Sequence, residues 1–95
     1  MNKRRTKIVA TIGPATANTD QLEALLQAGV DVARVNCSHS NADGILQSVS
    51  RIRRSAIKVQ RRVAILLDLQ GPKIRTGPGA PIKLERGDTL TVVMD

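Results

Sequence analysis

The chain has 95 residues, the size of one small domain, and 41% of them are hydrophobic, yet it contains no Phe, Tyr or Trp. This composition argues against a large self-sufficient core and excludes a protein that stacks nucleic-acid bases on aromatic side chains. The net charge of +7 favours an anionic partner, which could be nucleic acid, an anionic membrane or a phosphorylated small molecule.

Neither the N-terminus nor any internal run carries a targeting or membrane signal. No stretch approaches the roughly 20 consecutive apolar residues of a membrane span, and residues 1–5 lack a signal-peptide pattern. Cys37 is the single cysteine and cannot form an internal disulfide, which fits a reducing compartment. We predict a soluble cytoplasmic protein with no membrane partner.

The first part of the chain is predicted to form a strand, a helix and a second strand. Residues 7–13 form a short β-branched run closed by Gly-Pro, which is typical of a buried parallel strand. Thr19 or Asp20 is predicted to cap a helix that ends at Gly29. Residues 30–36 are again apolar and β-rich and end in polar groups, which predicts a second strand.

A second helix and a third strand are predicted in the next part of the chain. A helix is predicted after residue 41, with an apolar stripe at helical spacing and basic residues off that stripe. The stripe consists of Ile45, Val49, Ile52, Ala56 and Val59. Residues 63–67 predict a third buried strand, which Asp68 terminates. Two successive strand-helix-strand crossovers predict parallel pairing in an α/β fold.

The last part of the chain differs in composition. Residues 70–81 are rich in turn formers, and residues 82–84 and 89–93 flank residues 85–88 as a predicted hairpin. The shift near Pro78 predicts a domain boundary, with one domain at residues 1–77 and another at 78–95. Three parallel strands leave two open edges, and the β-rich run ends at Asp95, so we expect a part of a larger domain.

Polar residues gather after all three predicted strands, where parallel α/β folds place their active sites. Three groups follow the strands in order: Gly13 and Pro14; Arg34, Asn36, Ser38 and His39; Asp68, Lys73 and Arg75. Structural alternatives stay open at this point. Arg34 could pair with a strand-end carboxylate, and the oxygen-bearing residues could form a hydrogen-bonded cluster in which Ser38 or Asn41 caps a helix.

Three segments together resemble pyruvate kinase, in order and at family-like spacing: TKIVATIGPA at 6–15, ARVNCSHS at 33–40 and LDLQGPKIRTG at 67–77. The resemblance implies the first three strands of a (β/α)8 TIM barrel, followed by the start of an inserted β-rich lid domain at residues 78–95. It also implies phosphoryl transfer from phosphoenolpyruvate to ADP, giving pyruvate and ATP in the last step of glycolysis, and a homotetrameric full-length enzyme.

The resemblance also implies roles for single residues. Arg34 matches the residue that contacts the transferring phosphoryl group, and Asn36, His39 and Arg75 match positions that contact the nucleotide. The side chains of Asn36, Ser38 and Asp68, with the carbonyl of Leu69, match the ligands of a monovalent cation, K⁺. The catalytic lysine and the Mg²⁺ ligands of the family lie on later strands, so we expect the isolated chain to be inactive.

Three positions depart from the family pattern. Lys73 stands where potassium-dependent members have Glu, which resembles the potassium-independent subgroup, and an ammonium could supply the charge that K⁺ supplies elsewhere. Cys37 stands where Phe is usual, and Ser40 where Gly is usual.

Two other functions remain as alternatives. One is a non-catalytic remnant or interaction protein, which the sequence does not separate from a part of an enzyme. The other is a basic nucleic-acid-binding module, suggested by the cluster at residues 51–54 but opposed by the absence of aromatic residues, so we expect no nucleic-acid partner. One His and one Cys fall short of a zinc site.

Overall fold

A computed structural model describes residues 4–38 and 40–94. Its elements alternate as the sequence predicts: β1 (Val9–Ile12), a short 3-10 helix (Pro14–Thr16), α1 (Thr19–Gln27), β2 (Val32–Asn36), α2 (Ala42–Lys58) and β3 (Ala64–Asp68). The strands form one parallel sheet in the order β1-β2-β3. This order confirms the predicted α/β architecture.

The core lies on one face of the sheet, under the two helices. Ala33 and Val35 of β2 are buried together with Leu22 and Leu26 of α1 and Ile52 of α2. Because side chains alternate along a strand, Arg34 and Asn36 project from the opposite face, which no helix covers among the described residues. The sheet therefore has one apolar, helix-covered face and one face that carries polar groups.

Both helices begin one residue after an asparagine. Asn18 caps α1 by accepting hydrogen bonds from the backbone N–H groups of Asp20 and Gln21, so the predicted cap at Thr19 or Asp20 is wrong. Asparagine holds this extended backbone position and presents a short acceptor to the free N–H groups of the first turn. Asn41 caps α2, which agrees with one of the two alternatives.

The end of α1 follows the prediction. Gly29 has a φ of 121°, a conformation that L side chains rarely adopt. The chain turns there into β2, and the Gly29 carbonyl accepts a hydrogen bond from Arg4 Nη2 at 2.6 Å.

The hairpin predicted after Pro78 is wrong in part. A turn does occur at residues 85–88, where the Asp88 N–H donates to the Glu85 carbonyl and Gly87 has a φ of 97°. The flanking residues form no strands, and the described residues 69–94 are all exposed. A two-stranded hairpin is marginally stable unless its apolar side chains pack against another surface, and Val92 and Val93 are 78% and 75% exposed here.

The sheet has open edges, since β1 and β3 each pair on one side only within residues 4–38 and 40–94. In the same residues, no helix has the length and apolar character needed to cross a membrane.

Candidate functional site

Five of the polar residues predicted at the strand ends lie at the carboxyl edge of the sheet: Arg34, Asn36, Ser38, Asp68 and Lys73. Asn36 lies opposite Asp68 in the register of β2 and β3, and Arg34 lies two positions earlier on the same face. On the other side of β2, Arg34 lies opposite Thr11 of β1. Three strands thus contribute polar side chains to one small region.

Arg34 is held by both neighbouring strands. Its Nε donates to Asp68 Oδ2 at 3.0 Å, and its Nη2 donates to the same oxygen. Its Nη1 donates to the hydroxyl oxygen of Thr11 at 3.0 Å. The ion pair that the sequence left open as an alternative role for Arg34 is therefore present.

The Arg34–Asp68 pair remains accessible to solvent. The two side chains are 31% and 46% exposed, so water screens their attraction, and such a pair contributes at most about 1 kcal/mol to stability. A guanidinium has five N–H donors and no acceptor. The observed bonds use three of them and leave one on each terminal nitrogen, which is enough for two bonds to an incoming anion.

A second group of contacts lies in the loop after β2. Asn36 Oδ1 accepts a hydrogen bond from the backbone N–H of Ser38 at 3.0 Å, which closes a tight Asx turn. Lys73 Nζ lies 3.2 Å from Ser38 Oγ, so an ammonium from the loop after β3 reaches the loop after β2. Ser38 belongs to this group of contacts and does not cap α2, whereas Asn41 does.

The other predicted site residues form no described contact with the Arg34–Asp68 pair or with the Asn36, Ser38 and Lys73 contacts. Leu69 is 76% exposed, and Arg75 is exposed and forms no ion pair or hydrogen bond with the described residues. His39 lies outside the described residues. Cys37 is half-buried, with its Sγ 3.7 Å from the Val35 carbonyl. In the described part of the chain, no three His, Cys, Asp or Glu side chains are grouped closely enough to hold a metal ion.

Thr11 was not predicted as a site residue. Its strand was predicted, but a hydroxyl on a β-branched strand residue is common and carries no signal of its own. The signal lies in the parallel register, which sets Thr11 beside Arg34 and becomes known only once the strands are paired.

A second polar cluster, also missed, lies at the opposite, amino-terminal end of the strands and centres on Asp31. Asp31 Oδ2 accepts the Ile8 backbone N–H at 2.8 Å and lies 3.3 Å from Arg4 Nη1, and Oδ1 lies 3.7 Å from Arg61 Nη2. Arg61 Nη1 also donates to the Leu26 carbonyl at the end of α1, at 2.6 Å. Arg61 therefore links the segment after α2 to the end of α1 and to Asp31.

This environment changes the acidity of Asp31. The hydrogen bond from Ile8 lowers the pKa of Asp31 most, burial acts in the opposite direction, and the charges of Arg4 and Lys7 lower the pKa further. An open cavity of about 670 Å³ lies at this end of the sheet, bordered by Lys7, Asp31 and Arg61. It is remote from the Arg34–Asp68 pair, so the candidate site rests on converging side chains and does not coincide with this cavity.

The fold and the strand-end residues can be compared with known proteins. The family model for the pyruvate kinase barrel domain matches residues 3–95. The chain belongs to the pyruvate kinase family. This membership confirms the resemblance carried by the three strand-end motifs.

Individual relatives agree with this assignment. The pyruvate kinase of Corynebacterium glutamicum is 46% identical over 95 residues, which cover 97% of this chain and 20% of the relative. The pyruvate kinase of Aeropyrum pernix is 43% identical over 86 residues, which cover 90% of this chain and 19% of the relative. The chain therefore spans about a fifth of the length of these relatives.

A solved structure supports the fold. A crystal structure of a pyruvate kinase from Cryptosporidium parvum matches with a TM-score of 0.68 and 37% sequence identity, over 73% of this chain and 14% of that chain. Three parallel strands with two helices on one face are what a partial (β/α)8 barrel consists of, because the uncovered face of the sheet is the face that turns inward when a barrel closes.

Proposed function

We propose that this pyruvate kinase family chain contributes to the transfer of a phosphoryl group from phosphoenolpyruvate to ADP, which gives pyruvate and ATP. The observation that carries the proposal is Arg34, a fixed cation on the open face of a parallel sheet, at the strand ends where barrel enzymes bind their substrates. Phosphoryl transfer depends on positioning and charge neutralisation, and a guanidinium with two remaining N–H groups suits both.

The other site residues take the roles that the family pattern implies. Asn36, His39 and Arg75 would contact the nucleotide, and Mg²⁺ would be bound by carboxylates outside this sequence. The exposure of Arg75 leaves its guanidinium open to a phosphate ligand. Residues 78–95 would belong to the lid domain, whose closure excludes water from the transfer. The whole enzyme would be a cytoplasmic homotetramer.

The oxygen donors near Asp68 fit a monovalent cation in chemistry. Amide, hydroxyl, carboxylate and carbonyl oxygens from Asn36, Ser38, Asp68 and Leu69 are the donors that a hard cation takes. When bound, such a cation would add positive charge beside the phosphoryl group. However, Ser38 Oγ already has the Lys73 ammonium 3.2 Å away. This contact supports the proposal that Lys73 supplies the positive charge, so that K⁺ is not required.

A chimera tests the proposed activity. We would replace the matching segment of the Corynebacterium glutamicum enzyme with this chain and measure pyruvate formation from phosphoenolpyruvate and ADP. We expect turnover from the chimera and none from the isolated chain, which lacks the later strands that carry the catalytic lysine in the family. A folded chimera without activity would contradict the proposal.

Two matched arginine variants test whether the position of Arg34, and not only its charge, is needed for activity. Arg34→Gln removes the proposed phosphoryl contact, so we expect kcat/KM for phosphoenolpyruvate to fall by about a hundredfold or more. Arg54→Gln removes the same charge from the exposed surface of α2, and we expect a change of less than about twofold. Equal losses in the two variants would show that net charge, and not the position of Arg34, controls the reaction.

A further inference from the structure

We infer that Thr11 is a positioning residue that fixes the orientation of the Arg34 guanidinium for the phosphoryl group. This inference rests on the proposed function and adds a residue to its site. The observation behind it is the hydrogen bond from Arg34 Nη1 to Thr11 Oγ1, at 3.0 Å, from a neighbouring strand in register.

The ion pair with Asp68 cannot set this orientation alone. Both bonds from Arg34, through Nε and Nη2, end on the single atom Oδ2. Two bonds that converge on one atom allow the planar guanidinium to pivot about it. The bond from Nη1 to Thr11 adds a second anchor on the opposite strand, and two separated anchors hold the plane in place.

Among residues 4–38 and 40–94, no other side chain beside Arg34 supplies this anchor. Across β3, the residue in register with Arg34 is Leu66, which has no polar atom in its side chain. The diagonal position on that strand is Asp68, which is already used. Within the described residues, Thr11 is therefore the second side-chain acceptor of the Arg34 guanidinium.

The chemical type of Thr11 also matters. A hydroxyl orients the guanidinium without neutralising it, whereas a second carboxylate would compete with the phosphoryl group for the charge. The two N–H groups that remain on Nη1 and Nη2 then point in directions fixed before the substrate arrives. Such preorganisation raises the rate because the donors need not reorient during the reaction.

Valine and serine at position 11 give a clean test. Thr11→Val keeps the shape and the strand preference of threonine but removes the acceptor, and Thr11→Ser keeps the acceptor. Thr6→Val removes an exposed hydroxyl before the start of β1 and serves as the matched control. All three would be made in the chimera, with steady-state kinetics for both substrates and a thermal melt of each variant.

We expect Thr11→Val to lower kcat/KM for phosphoenolpyruvate by about tenfold, the effect of losing one hydrogen bond to a charged group, with an unchanged KM for ADP. Thr11→Ser should recover most of the loss, and Thr6→Val should match the unmodified chimera. The inference is overturned if Thr11→Val matches the unmodified chimera, if Ser is as damaging as Val, or if the KM values for both substrates rise together with a lower melting temperature.

A folded chimera without activity would refute the proposed function, and the role of Thr11 would then be tested by ligand binding. Phosphoenolpyruvate would be titrated into the isolated chain and its Thr11→Val variant while the Arg34 Nε–H resonance is followed by NMR. A shift that saturates at a severalfold lower concentration in the unmodified chain supports the positioning role. Equal titration curves, or no shift in the unmodified chain, overturn it.

Discussion

Replacement of Ile52 by Val removes one methyl group from the centre of the core. Ile52 is 0% exposed and packs with the buried residues of α1 and the sheet. A buried methylene contributes about 0.8 kcal/mol, and core Ile→Val changes cost about 0.5–1.5 kcal/mol. For a domain of this length, a loss of about 1 kcal/mol lowers the melting temperature by roughly 4–8 °C. We expect that shift for Ile52→Val, and about two to three times as much for Ile52→Ala.

Ile57 provides the matched control, because it lies in the same helix but is 77% exposed. Ile57→Val should change the free energy of unfolding by less than about 0.5 kcal/mol. Both variants would be melted under identical conditions and followed by far-UV circular dichroism. Equal shifts of the melting temperature from the two substitutions would contradict this prediction, because burial would then not determine the loss of stability.

Three further predictions concern the Asp31 cluster, the end of α1 and the cation site. The pKa of Asp31 is lowered in the folded protein, so ionised Asp31 stabilises the fold at any pH above the ordinary pKa of this carboxyl group. The stabilisation is lost as the pH falls through the pKa that Asp31 has in the folded protein. Asp31→Asn should therefore lower the urea midpoint at pH 7, and the gap to the unmodified chain should close below about pH 4; a constant gap would contradict this. Gly29→Ala should cost about 1–3 kcal/mol, because φ is 121° and the new Cβ would lie 3.1 Å from Arg4 Nη2. Gly71→Ala, with nothing within 4 Å, should be nearly neutral in the same urea titration. In sodium-free, choline-balanced buffer the chimera should work without potassium, Lys73→Glu should create a potassium requirement, and the exposed-loop change Lys83→Glu should not; a strict requirement before any substitution would overturn the role of Lys73.

The order of strands and helices could be predicted from the sequence because local patterns determine it. Strands appear as short β-rich runs, and α2 appears as an apolar stripe at helical spacing that includes Ile52. The predicted burial of the first and third strands is wrong: Ile12 is the one buried residue of β1, and β3 has none. The described residues cover one face of the sheet and leave both of its edges open. Gly29 was predicted to end α1 because few other residues adopt its backbone conformation. The cap of α1 was predicted one or two residues too late, since several adjacent polar residues can cap a helix and only the backbone geometry selects Asn18.

The hairpin prediction failed in part for a different reason. Residues 85–88 carry enough turn preference to form their turn, and Gly87 takes a positive φ. Strands on either side need a surface on which to bury Val92 and Val93, and the described residues supply none. Turn chemistry is local, whereas strand formation depends on tertiary partners.

The sequence by itself determined the family and the set of strand-end residues, because both follow from motifs of about ten residues. Only the tertiary structure decided which of these residues touch. The bonds from Arg34 to Asp68 and to Thr11 join positions 34 and 23 residues apart, and the contact of Lys73 with Ser38 spans 35. Parallel pairing brings such residues together through register. The apolar alternation within one strand determines which face a side chain takes. The residue that lies beside it on the neighbouring strand depends on how the strands are paired, which joins distant parts of the chain.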